Sequence, residues 1–355
     1  MTDALRRFEH GLPDELLHLD TGQLVSELDR PTLIRVAGDG GQPPRAITTL
    51  LHGDESTGIE AVVRLLRQRR RRPFDLYVVL GNVRAAAAPP GFAHRYLDGQ
   101  EDLNRIFDGA PATTPEREAA TAIVEELLAA GVGSLVDVHN NTGDNPVYSV
   151  VTNQRPETIA LATLLAPTVL RFELRLGTLL DALEGRIPSC ALECGLPGRR
   201  GSLAAALDAL ERYLAVDEPT AVPPHSDTAV LGGLKRVTVR DDARLRFGGR
   251  LDDGVDLVLP ADSDQHNFTQ VPAGHLLGHV HPTGPLPLTV TDAQGREVTH
   301  EHLRRDGEQL RLRHAAVPVM MTRTEVAARR DCLCYLAEPL AGVSPRGGTP
   351  SEGSH

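Results

Sequence analysis

The chain has 355 residues, 48 acidic and 37 basic, for a formal net charge of −11, with 3% aromatics and no tryptophan. That length predicts about two domains, and an acidic, aromatic-poor chain is a poor partner for phosphate backbones and stacked bases, which argues against nucleic acid. No apolar run approaches the 18 or so residues of a membrane span, charges interrupt MTDALRRFEHGLPDELL where a signal peptide needs its apolar stretch, and four cysteines without a CxxC pair form no disulfide framework; a cytoplasmic location is expected.

Residues 1–30 read as a polar arm with a short helix. From Pro31 the pattern becomes regular: LIRVAG and AITTLLHG (46–53) predict strands, followed by a helix from Ser56 to Arg72 with Ile59, Val62, Val63 and Leu66 at helical spacing. Pro73 and the helix C-terminal dipole explain why RQRRRRP closes it. DLYVVLGNV (75–83) has the unbroken apolar run of a buried parallel strand. A loop to about Phe107 precedes a helix from Thr114 to Ala130. SLVDVH (134–139) and VYSVV (147–151) predict strands, 156–166 a helix, CALECG (190–195) a short strand and 201–214 an amphipathic helix. Such alternation predicts an α/β domain over 31–216, a mixed and mostly parallel sheet flanked by helices. DEPTAVPPHSD (217–227) has linker composition. Short alternating runs over 228–340, KRVTVR, RLRFGG, DLVLP, LPLTV and QLRLR, predict a C-terminal β-rich domain, and 341–355 a disordered tail.

In α/β sheets sites form at the carboxyl ends of the strands. The first strand ends in His52, with Glu55 three residues on. Asn82 and Arg84 follow the next, and the loop beyond carries Asp102, Asn104 and Arg105. SLVDVH ends in His139, with Asn140, Asn141 and Thr142 after it, and CALECG delivers Glu193. His52, Glu55 and His139 together offer two imidazoles and a carboxylate, the set that holds a catalytic zinc with one position left for water. Asp137 shares a strand face with His139; it either orients that imidazole or is a buried carboxylate capping a helix. Alternation puts Glu193 on the opposite strand face from Cys190 and Cys194.

LHGDE, GNVRA, YLDGQEDLNRIF, DVHNNTG and LECG, in that order over roughly residues 45–200, resemble the succinylglutamate desuccinylase/aspartoacylase branch of the zinc carboxypeptidase superfamily. The resemblance implies that fold and one zinc per chain on His52, Glu55 and His139. It also implies that Glu193 is the general base that takes the water's proton and returns it to the leaving amine. Arg84 would stabilise the oxyanion, while Asn104 and Arg105 would grip a substrate carboxylate. Amide hydrolysis needs a nucleophile, an oxyanion stabiliser and a proton shuttle, and this set provides one of each. Asn140 is a further candidate for substrate binding.

The branch uses another arginine shortly before the catalytic glutamate. Arg186 is the candidate here, though out of clear register, with Arg199 or Arg200 in reserve. It also uses a tyrosine from the second domain; TRTEVAARR has none, and Tyr335 is nearby. GHLLGHVHP gathers His275, His279 and His281, with His266 upstream, where surface histidines on turns are the expected reading over a second metal. The expected function is zinc-dependent hydrolysis of the amide of an N-acylated small amino acid or related amine, by a chain that is a possible homodimer. The alternatives are a metallocarboxypeptidase acting on peptides and a catalytically inactive binding protein on the same scaffold.

Overall fold

The computed structural model describes residues 4–223 and 228–340. They fall into two compact units, the first within 1–140, 147–170 and 175–226, the second within 141–146, 171–174 and 227–355. The expected tail at 341–355 and the end of the expected linker, 224–227, lie outside the described residues.

The first unit is a mixed, mostly parallel sheet flanked by helices. Its strands are β1 (Arg6–Phe8), β2 (Thr32–Val36), β3 (Arg45–Thr49), β4 (Leu76–Leu80), β5 (Ser134–His139), β6 (Tyr148–Val151), β7 (Thr168–Arg171) and β8 (Ser189–Glu193), in the order β1-β2-β4-β3-β5-β8-β6-β7. The central run β4-β3-β5-β8 is parallel throughout. The helices are α1 (Asp14–Leu17), α2 (Thr21–Glu27), α3 (Ser56–Arg67), α4 (Val83–Ala87), α5 (Pro115–Ala129), α6 (Pro156–Leu165), α7 (Leu179–Leu183) and α8 (Arg200–Ala215).

Side-chain alternation sorts the two faces. Leu33, Ala46, Val79 and Leu135 of the sheet pack with Ile123 and Leu127 of α5 and with Leu179 and Leu183 of α7. On the other face, Arg45 donates to the carbonyls of Tyr213, Val216 and Asp217 at the end of α8, and the Tyr213 hydroxyl reaches Ser134. There α3 lies unusually close to the sheet. A Cβ on Gly58 would fall 2.0 Å from Thr49 Oγ1 and 3.1 Å from Val138 Cβ. Glycine is what lets the first turn of α3, and Glu55 before it, sit against the ends of β3 and β5.

Two expectations needed revision. The helix from Ser56 stops at Arg67, and Arg69 takes a left-handed φ of 49°. Crowded like charges in RQRRRR disfavour further turns, and the left-handed residue ends the helix as a glycine commonly would. Residues 4–30 are also more than an arm: β1 pairs in parallel with β2, Asp20 and Gln23 form a capping box at α2, and Leu5, Leu24 and Val25 are buried.

The second unit is β-rich. Strands β9 (Ala229–Val239), β13 (Leu288–Thr291), β16 (Val317–Val319) and β17 (Cys334–Pro339) pair antiparallel, with β9 between β13 and β17 and β16 on the far side of β17. A separate five-stranded sheet runs β10 (Leu245–Phe247), β11 (Leu257–Leu259), β12 (Leu276–Val280), β15 (Gln309–Leu312) and β14 (Leu303–Asp306). One core of Val237, Leu257, Val280, Leu288, Leu310 and Leu336 joins them. The unit also takes in 141–146: Asp144 N donates to Asp264, and Asn267 donates to the carbonyls of Asp144 and Met321. No helix among the described residues is long and apolar enough to cross a membrane.

Candidate metal centre

The centre lies in the first unit, at the carboxyl ends of β3, β5 and β8. In the β5–β8 register His139 stands opposite Glu193 and Asp137 opposite Ala191, and in the β3–β5 register Thr48 stands opposite Asp137. Thr48, Asp137, His139 and Glu193 therefore share one face, with Cys190 and Cys194 turned away from it, as alternation predicts. After β3 the chain bends through Leu50, at φ 58°, and delivers His52 and Glu55 to the same place.

His52 Nδ1 lies 2.7 Å from Glu55 Oε1, and His139 Nδ1 lies 2.8 Å from Glu55 Oε2. All three side chains are buried, and a donor atom from each lies within 4.8 Å of the others, the only such grouping of three or more metal-ligating side chains among the described residues. The far side of each ring meets another carboxylate. His139 Nε2 is 2.7 Å from Asp137 Oδ2, while His52 Nε2 is buried and 3.2 Å from Asp102 Oδ1 without the alignment of a hydrogen bond. A carboxylate stands behind each imidazole, and on the His139 side its hydrogen bond fixes the ring and leaves Nδ1 as the ligand atom, which is how metal-binding histidines are held. The residues present thus fit a zinc ion in donor type, number and support. Of the two readings open for Asp137, the geometry shows the one beside the imidazole.

The charges are strongly coupled. Burial opposes ionisation of Glu55, but His52 and His139 hold its carboxyl well below the usual range. Burial likewise works against charge on His139, and Asp137 and Glu55 outweigh it, raising the imidazole well above its ordinary value. Glu193 behaves oppositely. Burial pushes its carboxyl up to about 8, Glu55 and Asp137 add to this, and His139 and Arg95 oppose it.

Other candidate residues are placed unequally. Asn104 is buried, with Oδ1 accepting from Leu179 N and Nδ2 3.5 Å from His139 Nε2. Arg105 is part-buried and donates to the Asn104 carbonyl. The Asn140 side chain is engaged at both ends: Oδ1 accepts from Thr57 N and Nδ2 donates to Gly195 O, while its backbone N–H reaches Glu55. That geometry makes it a brace between α3 and the chain after β8. Arg186 is exposed and precedes β8. The strand's length, about 13 Å, separates its backbone from Glu193.

Arg84 is exposed on the first turn of α4, whose backbone packs on Gly53; a Cβ there would meet Ala86 N at 2.5 Å. Sequence reasoning passed over Arg95. Its Nε donates to Asp102 Oδ2 at 2.9 Å, its carbonyl accepts from Gly53 N, and its charge reaches Glu193. The signal was its place seven residues before Asp102 in the same polar loop. In the second unit, the His266 and His275 rings pair at 4.9 Å, His279 is exposed, and His281 meets the Val255 carbonyl. They are not among the grouped metal-ligating side chains of the described residues.

Residues 43–176 match the family model described as the succinylglutamate desuccinylase/aspartoacylase catalytic domain. Among solved structures, the chain is similar to a succinylglutamate desuccinylase from Chromobacterium violaceum, at 19% identity, covering 88% of this chain and 89% of that one, TM-score 0.54. It is also similar to murine aminoacylase 3, at 18% identity over 84% and 95%, TM-score 0.53. A product-bound ectoine utilization protein from Ruegeria pomeroyi shares 18% identity over 81% and 82%, TM-score 0.52. No curated protein matches in sequence. At these identities the structural likenesses show the fold.

Proposed function

Residues 43–176 belong to the succinylglutamate desuccinylase/aspartoacylase catalytic-domain family, and from that premise we propose that the protein is a zinc-dependent deacylase. Its substrate is the amide of an N-acylated small amino acid or related amine. The observation that carries the reading is the convergence of His52, Glu55 and His139, with Glu193 facing His139 across adjacent parallel strands.

His52, Glu55 and His139 would hold the zinc. Zinc in such a site lowers the pKa of a water toward about 7 and polarises a carbonyl. Glu193, a buried carboxyl that stands opposite His139 in register, takes a proton from the attacking water and hands it to the leaving nitrogen. Arg95 is braced by Asp102 and coupled to Glu193, so we assign it the oxyanion-stabilising role that the resemblance gave to Arg84. Asn104 and Arg105 bind a substrate carboxylate, Arg105 through the planar fork that pairs two oxygens at once. Asn140 holds α3 and Glu55 in place.

The arginine assignment separates experimentally. In amine release from zinc-loaded protein, Arg95→Gln is expected to lower kcat about 10²–10³-fold, the usual loss of an oxyanion donor, and Arg84→Gln less than tenfold. The reverse ranking would return the role to Arg84.

A further inference from the structure

We propose that Thr48 is a positioning residue for the metal centre, setting the zinc affinity of the His139 arm through Asp137. This rests on the zinc reading above. Thr48 is fully buried on β3 and faces Asp137 in register on β5. Its hydroxyl donates to Asp137 Oδ1 at 2.5 Å, and the other carboxylate oxygen meets His139 Nε2 at 2.7 Å. A hydroxyl–carboxylate hydrogen bond this short is charge-assisted. Asp137 is 1% exposed, so Thr48 is what orients the carboxylate oxygen not facing His139.

The two arms of the centre differ in their support. On the His52 side, Asp102 is held by the cationic Arg95 and stands slightly off alignment with the ring. On the His139 side, Asp137 is held by a neutral hydroxyl and is fully aligned. A neutral donor fixes the carboxylate's rotamer while leaving its negative charge on the imidazole. Such charge raises the basicity of the Nδ1 donor on the other side of the ring. Without the hydroxyl, Asp137 Oδ1 is a buried acceptor with no partner from β3. The carboxylate is then driven to turn and seek another.

The test is zinc affinity, measured by competition with a chromophoric chelator at fixed pH, for the full chain and its Thr48→Val, Thr48→Ser, Asp137→Asn and Thr48→Val/Asp137→Asn variants. Thr48→Val is expected to bind zinc about tenfold more weakly, at the lower edge of the 10–100-fold range for outer partners. Thr48→Ser, which keeps the hydroxyl, should stay within about twofold. In the Asp137→Asn background the valine should add nothing, since the effect passes through that carboxylate. If Thr48→Val does not fold, Thr48→Ala carries the same expectation. Unchanged affinity on losing the hydroxyl overturns the proposal, and so does a loss that persists undiminished beside Asp137→Asn. Failure of the unaltered chain to bind zinc overturns the zinc reading itself, and this inference with it.

Discussion

Glu193→Gln is expected to retain zinc and lose at least 10³-fold in kcat, within the range for a positioned acid–base group. The amide has nearly the shape of the carboxylate but can neither take nor return the proton. The carboxylates that meet the two imidazoles are committed elsewhere: Glu55 between both rings, Asp137 to Thr48 and His139, and Asp102 to Arg95. The same variant has a stability signature. Folding raises the Glu193 carboxyl from 4.5 to about 8, so between those values the folded chain holds a proton that the unfolded chain has released. Chelator-stripped protein should therefore lose stability as pH rises from about 4.5 through 8, by at most about 1.4 kcal/mol per unit from this group. Glu193→Gln should remove that slope and melt a few degrees higher at pH 8. Thermal unfolding of both proteins across this range reads the difference. An active glutamine variant would remove Glu193 from the chemistry.

His139→Ala should abolish zinc binding and activity together, and it should cost stability even in chelator-stripped protein. His139 is the positive partner of both Glu55 and Asp137, which are buried. Removing one member of a buried, hydrogen-bonded charge network leaves its partners uncompensated, at about 3–5 kcal/mol. His52→Ala should abolish zinc binding as fully but destabilise less, because Asp102 keeps Arg95 as a partner. Metal content by mass spectrometry and melting temperatures after chelation check the pair. Stoichiometric zinc retained by either variant would contradict the ligand assignment.

The legible part of the site was the part built on regular structure. β3, β5 and β8 are short apolar runs, their direction follows from strand–helix alternation, and His139 and Glu193 stand at the ends where a parallel sheet places its chemistry. Period-2 alternation also put Asp137 beside His139 and Glu193 opposite the cysteines. The support around His52 was less legible. Arg95 and Asp102 meet across an irregular loop, whose path no hydrophobic period encodes. A strand-end amide such as Asn140 looks the same in sequence whether it faces substrate or braces a helix, so its partners, Thr57 N and Gly195 O, were not legible there. The position of Arg186 follows from the same strand direction. A residue before a parallel strand lies at the opposite edge from the strand's last residue, and CALECG already fixed that direction. In the second unit, β12, β14 and β16 were not legible because a histidine, arginines and a proline interrupt their alternation.

In the proposed function, His52, Glu55 and His139 hold a zinc used with Glu193 to hydrolyse small N-acyl amino acids. The most direct measurement is amine release from N-succinylglutamate, N-acetylaspartate and acylated diamino acids by protein of known zinc content, before and after chelation. Turnover of one of these substrates that disappears with the chelator and returns with zinc is the predicted result. Stoichiometric zinc with no amine released from any of them, alongside trimming of a tripeptide's C-terminal residue, would contradict it and make the chain a peptidase.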